Sequence, residues 1–405
     1  MVVNNYPWIR LAVALTLSTI GGVGMWSVVV ALSSVQAEFG VARGAASLPY
    51  TMTMICFGIA SIFMGRLADR TGIFIPIVFG AILLSTGYAS ASRAATIGQF
   101  TLLQGLLIGV GSSVTFAPLL ADTSLWFTKN RGLAVGIIAS GNYLAGTIWP
   151  PVLTHFIQTS GWRETYVYVA WFCILTMLPL AVVLRRRAPA AVAATEISEQ
   201  ETTTQRPLGL APNALQAILI IAGLSCCVAM SMPQVHIIAY CGDLGFGPAR
   251  GAQMLALMLA CGIVSRLSFG WISDRIGGLR TLLLGSSLQA FALLLFVPFN
   301  GLVSLYLLSA LFGLFQGGIV PSYAIIVREF FLAKEAGTRI SLVITATMFG
   351  MALGGWMSGV IFDWFGSYRA AFINGVAWNT MNIGIAFWLL RRSKGRLSAR
   401  CATTA

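Results

Sequence analysis

Charged side chains are scarce in this sequence: Asp, Glu, Lys and Arg make up 9% of its 405 residues, whereas hydrophobic residues make up 57%. A soluble globular domain carries about 25% charged residues, so this composition excludes a soluble protein. The apolar residues form runs of about 20, the length that a helix needs to cross a bilayer. Such runs also exclude an outer-membrane barrel, whose strands alternate apolar and polar residues. We therefore expect an all-α integral membrane protein in contact with the lipid bilayer.

Metal ligands and catalytic pairs are lacking as well. The chain has two histidines, His155 and His236, and seven cysteines that lie mostly in apolar runs without the spacing of a metal site or a disulfide framework. The nearest nucleophile and base, Cys227 and His236, are nine residues apart on one apolar run, about 13 Å along a helix, so they cannot touch. We expect no metal, no cofactor and no enzymatic activity.

The apolar runs predict twelve transmembrane helices, here called spans 1 to 12. Their predicted ranges are 9–35, 46–64, 75–92, 97–121, 132–156, 164–184, 213–240, 250–272, 281–298, 302–327, 338–362 and 368–390. Of the 25 Lys and Arg residues, nineteen fall in the termini and even-numbered loops and five in the odd-numbered loops. The positive-inside rule then places both termini in the cytoplasm. The net charge of +13 reflects this topology, and we expect no nucleic-acid partner.

The chain divides into two similar halves. The stretch 185–212 is polar and of low complexity, which indicates a disordered cytoplasmic linker between bundles at 1–184 and 213–391, with a cytoplasmic tail at 392–405. Gly65–Gly72 (GRLADRTG) follows span 2 and Gly270–Gly277 (GWISDRIG) follows span 8. The pairs Asp69 and Asp274, 205 positions apart, and Arg163 and Arg369, 206 apart, keep nearly one offset. This regularity indicates a duplicated six-helix unit.

One arginine, Arg266, lies within span 8, which contains no carboxylate. A cation inside the bilayer costs from about 3 kcal/mol on insertion scales to over 10 kcal/mol in simulations of isolated helices. It is therefore expected to face protein or a water-filled cavity, where an anion that comes and goes would be its partner. Its guanidinium suits a carboxylate because the planar fork contacts both oxygens. The alternative is that this long side chain reaches along span 8 to the cytoplasmic interface.

The two G-x-x-x-D-R-x-G loops resemble the signature of the major facilitator superfamily, a fold of two pseudo-symmetric six-helix bundles. The resemblance covers the whole chain. It implies alternating access, in which the two halves open first on one membrane face and then on the other. The alternative is a short polar loop that serves topology alone. As gating residues the resemblance and the charge pattern nominate Asp69, Arg70, Arg131, Asp274, Arg275 and, near the other face, His236.

Within that superfamily, Trp126–Gly141 (WFTKNRGLAVGIIASG) resembles the signature that enters span 5 in monocarboxylate transporters and bacterial oxalate/formate exchangers. Those proteins place a substrate-binding arginine in span 8, at the position of Arg266. The oxalate exchangers add a lysine in span 11, where this chain has Thr345–Met348. Proton-coupled animal members carry an aspartate at the position of Gly262 and a lysine in span 1, and both are absent here. A single cation favours a monocarboxylate, and the coupling, to protons or to a counter-anion, is left open.

Further substrate contacts are nominated because spans 1, 4, 7 and 10 usually line the pathway in this superfamily. Lone aromatic side chains in membrane helices are more often packing or lipid-facing residues, so these are weaker candidates than Arg266. The candidates are Trp26, Phe116, Gln316 and Tyr323, together with Asn142 and Tyr143 in span 5 and Thr345 and Met348 in span 11.

The sequence thus predicts a monomeric secondary transporter that moves a small monocarboxylate, of the lactate or pyruvate type. The first apolar run is too long for a cleaved signal peptide, and the short loops favour a bacterial inner membrane. Two alternatives are kept. One is an exporter of drug-like or amphipathic compounds, although span 5 lacks the G-P-x-x-G-G element of many drug antiporters. The other is a membrane receptor on the same fold, which the short linker and tail disfavour.

Overall fold

The structure, a computed structural model, describes residues 6–127, 131–186 and 207–403. Within these ranges the structure describes the backbone but not the side chains of residues 131–133, 207, 333, 334, 336 and 394–403. The regular elements of this part of the chain are all helical. The predicted linker falls largely on 187–206 and lies outside the described residues.

Spans 1 to 6 form the first half. Their helices are Tyr6–Gly21 and Val23–Phe39 (span 1), Arg43–Thr71 (span 2), Phe74–Ala91 (span 3), Ile97–Leu103, Gln104–Gly109, Val110–Ser113 and Ala117–Trp126 (span 4), Arg131–Ala139 and Gly141–Ser160 (span 5) and Trp162–Val183 (span 6). The Gln104–Gly109 segment is a π-helix. Span 3 packs on spans 4 and 6, and span 5 packs on span 1.

Spans 7 to 12 form the second half. Their helices are Pro212–Asp243 (span 7), Pro248–Ile276 (span 8), Gly278–Leu295 (span 9), Leu302–Gln316 and Ile319–Phe330 (span 10), Ala333–Phe365 (span 11) and Tyr368–Thr403 (span 12). Span 12 continues to Thr403, so the predicted tail is helical rather than irregular in this part of the chain. Span 7 packs on spans 11 and 12, and span 8 packs on span 10.

The prediction of a twelve-helix membrane protein is confirmed. Ten helical stretches of the described chain are long and apolar enough to cross a membrane, and they correspond to spans 1–4 and 6–11. The remaining two spans are helical as well. Span 5 is interrupted at Ser140, and span 12 carries Asn374, Asn379 and Asn382, whose polarity lowers its hydropathy. Most spans extend a few residues beyond their predicted ends, because helices continue past the apolar run into polar ends.

The two halves meet mainly along two helix pairs, span 2 with span 11 and span 5 with span 8, and span 1 also packs on span 7. Glycines let the backbones approach: a Cβ added at Gly359 would meet the backbone of Arg43 and Gly44, and one at Gly355 would meet the Tyr50 ring. We call the face that holds Tyr6, the end of span 6 and the start of span 7 the linker face, and the opposite one the distal face. The span 2–span 11 contact begins at the distal end.

A buried arginine ties three spans together on the linker face. The Arg10 side chain is 2% exposed and pairs with Asp122 of span 4 at 2.6 Å. Its Nη1 also donates to the carbonyls of Leu184 and Arg186, each at 3.1 Å, where span 6 ends. These contacts satisfy a charge that would otherwise be costly to bury.

Replacing Arg10 by Met should lower the stability of the protein markedly. The Asp122 carboxylate would remain buried without its cation, and breaking a buried pair in this way costs about 3 to 5 kcal/mol. The double variant Arg10→Met/Asp122→Asn should recover the larger part of the loss. Thermal unfolding of the detergent-solubilised protein measures both. A double variant as unstable as the single one would contradict the assignment of the loss to the unpaired carboxylate.

Candidate functional site

Arg266 lies at the contact between span 5 and span 8, well inside the helix. Span 8 ends at Ile276, ten residues further on, which is about 15 Å at 1.5 Å per residue. The Arg266 side chain is half-buried, and its Nη1 donates to the carbonyl of Ala139 at 2.7 Å. Ala139 ends the first segment of span 5. The guanidinium therefore reaches across to the other half instead of along its own helix to the interface.

The guanidinium of Arg266 keeps unused hydrogen-bonding capacity. It lies over the ring of Tyr143, 4.2 Å from the ring centroid, and its Nε is buried without a hydrogen-bond partner. In the described ranges no carboxylate lies within ion-pair distance of it. A carbonyl and an aromatic face thus offset part of its charge, and no described carboxylate pairs with it.

Close packing brings four of the nominated residues into one cluster. A Cβ added at Gly262 would collide with the Tyr143 ring, and one at Gly146 would collide with Leu259 and Trp26. The indole Nε1 of Trp26 donates to the Asn142 carbonyl at 3.4 Å. We name this cluster the arginine site and define it by Trp26, Asn142, Tyr143 and Arg266.

The other nominated residues lie in separate groups. Phe116 packs on Phe57 of span 2, with ring centroids 6.4 Å apart. Met348 and Thr345 face Gly58 across the span 2–span 11 contact.

Two further candidates belong to hydrogen-bonded pairs inside the second half. Gln316 accepts a hydrogen bond from Gln234 of span 7 at 3.0 Å, and its own Nε2 is buried without a partner. Tyr323 is fully buried and donates to Asn382 at 2.9 Å. Gln234 was missed because an isolated glutamine in an apolar run gives no pattern.

Four of the gating candidates on the linker face form no ion pair between the halves among the described residues. Asp69, Arg70, Asp274 and Arg275 are exposed, and none of them takes part in an ion pair among the described residues. The Arg275 guanidinium lies over the ring of its neighbour Trp271 at 3.6 Å. The side chain of Arg131 lies outside the described residues.

The distal face is closed by an arginine that the sequence did not single out. Arg43, at the start of span 2, donates from Nη1 and Nη2 to the two carboxylate oxygens of Asp243, each at 3.1 Å. Its Nη1 also donates to the Tyr368 hydroxyl at 2.7 Å. Asp363, at the end of span 11, accepts from the backbone N–H groups of Arg43 and Gly44 at 2.8 and 2.7 Å. A carboxylate of one half therefore caps a helix of the other.

His236 lies directly behind these contacts. It is 2% exposed, its Nδ1 is 3.0 Å from the Tyr368 hydroxyl and its Nε2 is 2.7 Å from the Gly355 carbonyl. We call the group Arg43, His236, Asp243, Asp363 and Tyr368 the distal latch. The distal latch therefore joins the two halves at the distal face, whereas Asp69, Arg70, Asp274 and Arg275 form no ion pair among the described residues at the linker face.

The duplication explains part of the latch and also its asymmetry. Glu38 lies 205 positions before Asp243 and also ends the first span of its half. Glu38 pairs at 2.7 Å with Arg163, and it also accepts from the Trp162 indole, both in its own half. Asp243 instead takes its arginine from the other half. The repeat offset could have pointed to Asp243 from the sequence, but it could not have supplied the partner.

The chain matches the sequence model of the Major Facilitator Superfamily over residues 14–304 and 267–400. Among characterised relatives, it is 25% identical over 346 residues to agnestins efflux protein AgnL12 of Paecilomyces divaricatus, covering 85% of this chain and 77% of the relative. It is 27% identical over 301 residues to monocarboxylate transporter 13 of Rattus norvegicus, covering 74% and 69%.

Solved structures share the fold at low identity. A bacterial homolog to the human lysosomal transporter Spinster, inward-facing and occupied, superimposes with a TM-score of 0.73 at 14% identity, covering 96% of this chain and 97% of that one. The nucleoside transporter NupG gives a TM-score of 0.73 at 14% identity, covering 96% and 100%. These likenesses confirm the predicted two-bundle fold.

Replacing Gly146 by Ala should separate span 5 from span 8, because the added methyl group meets Leu259 and Trp26. Overpacking of this kind costs about 1 to 3 kcal/mol. Gly136→Ala is the matched control in the same span, since a Cβ there meets nothing within 4 Å. Thermal unfolding should show a lower midpoint for Gly146→Ala and an unchanged or higher one for Gly136→Ala. Equal midpoints would show that the contact tolerates the extra volume.

Proposed function

Since the chain belongs to the Major Facilitator Superfamily and is a multi-pass membrane transporter, we propose that its substrates are small organic anions, with a lactate- or pyruvate-like monocarboxylate favoured. The observation that carries the proposal is the half-buried Arg266 guanidinium, whose Nε has no hydrogen-bond partner and which meets no carboxylate in the described chain. A bound carboxylate would supply both the missing acceptor and the missing charge.

The charge count favours one carboxylate over two. The described part of the arginine site holds a single cation, with aromatic and amide neighbours in Trp26, Tyr143 and Asn142. A second carboxylate of a dicarboxylate would be desolvated there without a partner, at a cost of several kcal/mol. The aromatic rings would limit the size of the apolar end of the substrate.

The position of Arg266 also supports a link between binding and alternating access. Its hydrogen bond to the Ala139 carbonyl joins the second half to the first. A carboxylate that takes over this donor would replace a contact between the halves with a contact through the substrate. Asp69, Arg70, Asp274 and Arg275, together with Arg131, would then close the linker face when the distal latch opens. We assign the linker face to the cytoplasm and the protein, as a monomer, to a bacterial inner membrane.

A second candidate is an exporter of amphipathic compounds. The relative named agnestins efflux protein, 25% identical over 85% of this chain, favours it. The name of the other relative, monocarboxylate transporter 13, favours the anion proposal at 27% identity. The lone arginine favours the anion proposal, because an uncharged amphipathic compound would leave Arg266 without a counter-charge.

The first test is ligand binding by the purified protein with and without Arg266. Thermal shift should detect stabilisation by one or more of formate, acetate, lactate, pyruvate, oxalate and aromatic acids. A ligand present at a hundred times its dissociation constant adds about 2.7 kcal/mol. Arg266→Gln should abolish this gain because it removes the cation and keeps a polar side chain of moderate length.

Arg250→Gln is the matched control for Arg266→Gln. Arg250 is an exposed arginine on the same helix, and its Nη1 donates to Gln253 at 3.4 Å. This variant should respond to the acid as the unsubstituted chain does, and vesicle uptake of the labelled acid should follow the same order. If Arg266→Gln responds as strongly as Arg250→Gln, the arginine does not bind substrate. Stabilisation by uncharged amphipaths alone would favour the exporter.

A second test addresses Tyr143, whose ring lies under the guanidinium. Tyr143→Leu removes the aromatic face that holds Arg266, and such contacts contribute about 0.5 to 2 kcal/mol. The affinity for the acid should therefore fall roughly two- to thirtyfold. Tyr143→Phe keeps the ring and should retain most of the affinity. Isothermal titration with the stabilising acid makes the comparison, and equal losses in both variants would assign the effect to the hydroxyl instead.

A further inference from the structure

Both ring nitrogens of His236 have partners that suit a neutral imidazole. The Gly355 carbonyl can only accept, so the Nε2 facing it at 2.7 Å is the nitrogen that carries the proton. The Tyr368 hydroxyl accepts from Arg43 Nη1, so its own hydrogen is free to point at Nδ1, 3.0 Å away. The closed latch is therefore a relay from Arg43 through Tyr368 to His236, and it ends on an unprotonated Nδ1.

A proton on Nδ1 would remove the acceptor of this relay. The Tyr368 hydroxyl would then face two donors, Arg43 on one side and Nδ1–H on the other. The resulting imidazolium is 2% exposed and touches no carboxylate, because its two polar contacts are a hydroxyl and a carbonyl. A buried charge without a paired counter-ion is costly, so protonation opposes closure.

The charged groups around His236 come from three neighbouring spans and from its own. Span 2 brings Arg43, which has the same sign of charge as an imidazolium. Span 11 brings Asp363, whose carboxylate accepts from the backbone of span 2. Span 12 brings the phenol of Tyr368. Span 7 itself brings Asp243, which is occupied by Arg43, and the phenol of Tyr240.

Spans 1 and 8 also pack on span 7. Among the described residues they bring no charge into contact with His236, since Glu38 is engaged by Arg163 and Arg250 contacts Gln253. The charge of Asp363 favours a protonated ring, but no described carboxylate contacts that ring to pair with it.

From this geometry we propose that His236 is a proton-binding site that controls the distal gate: the gate closes on the neutral histidine and is released when the histidine binds a proton. The site has no polar equivalent in the first half, where Ala31 lies 205 positions before His236. Acid on the distal side would shift the protein toward the form open to that side. The inference does not depend on which compound is carried.

The test measures opening directly and needs no substrate. Ser47 is fully buried, one turn after Arg43 on the face of span 2 that also carries Tyr50. A Ser47→Cys reporter should react with a hydrophilic maleimide only when the latch opens. Gln158→Cys, at an exposed position on the distal end of span 5, reports the effect of pH on thiol chemistry alone. The unsubstituted chain in lipid nanodiscs gives the baseline of its own cysteines.

The labelling rate of Ser47→Cys, divided by that of Gln158→Cys, should rise between pH 7.5 and pH 5.5. The rise is at most about tenfold per pH unit, because one proton is linked to opening. In His236→Gln the ratio should stay low and flat, since an amide can donate to Gly355, accept from Tyr368 and take up no proton. A rise that persists in His236→Gln would assign the effect to Asp243 or Asp363 and overturn the proposal, as would a flat ratio in the reporter chain.

A second variant guards against a folding defect in His236→Gln. Tyr368→Phe leaves the ring in place and removes the hydroxyl between Arg43 and His236. Its labelling ratio should already be raised at pH 7.5 and should change less on acidification. If Tyr368→Phe is as closed and as pH-sensitive as the reporter chain, the relay does not control the gate and the proposal fails. Gel filtration is the control that each variant is monodisperse.

Discussion

A charge that is withdrawn from water inside a membrane protein needs a partner, and three arginines of this chain meet that requirement in different ways. Arg10 pairs with Asp122 and two carbonyls within one half. Arg43 pairs with Asp243 across the two halves. Among the described residues, Arg266 has a carbonyl and an aromatic ring as its partners. Arg10 is therefore part of the permanent structure of one half, whereas the Arg43 contact must break for the halves to separate. Under the proposed function, a bound anion would complete the charge of Arg266.

The two halves share a duplicated arrangement of helices, and the contacts between the halves arise where the two copies differ. The gate loops, the carboxylates that end spans 1 and 7, and the aromatic residues that begin spans 6 and 12 recur at offsets of 205 or 206. In the first half Glu38 and Arg163 join neighbouring spans of one rigid bundle. In the second half the equivalent carboxylate is bound by the opposite bundle. Equivalent carboxylates therefore form an ion pair within the first half and an ion pair between the two halves.

The sequence predicted the helices, the two bundles and the unusual status of Arg266, because these depend on hydropathy, repetition and the cost of one charge, all of which are local. It also nominated Trp26, Asn142, Tyr143 and Arg266 among its nine substrate candidates, and these four lie in one cluster in the structure. It missed Arg43, which looked like one of five arginines in distal loops. Its partners lie 200 to 325 positions away in the sequence. Packing decides which of many distant groups come into contact, and a single sequence does not show that packing.

Asp363 caps span 2 through backbone groups, so this part of the distal latch does not depend on which side chains the first half carries. Its acceptors bind the peptide N–H groups of residues 43 and 44, and every amino acid except proline presents that group. Natural variants could lose the arginine and still retain this recognition of the backbone. The distal latch thus combines the Arg43 side-chain contacts, which a substitution can change, with backbone contacts that any residue except proline retains. The strength of the latch can therefore change in evolution while the alignment of the two helix ends is kept.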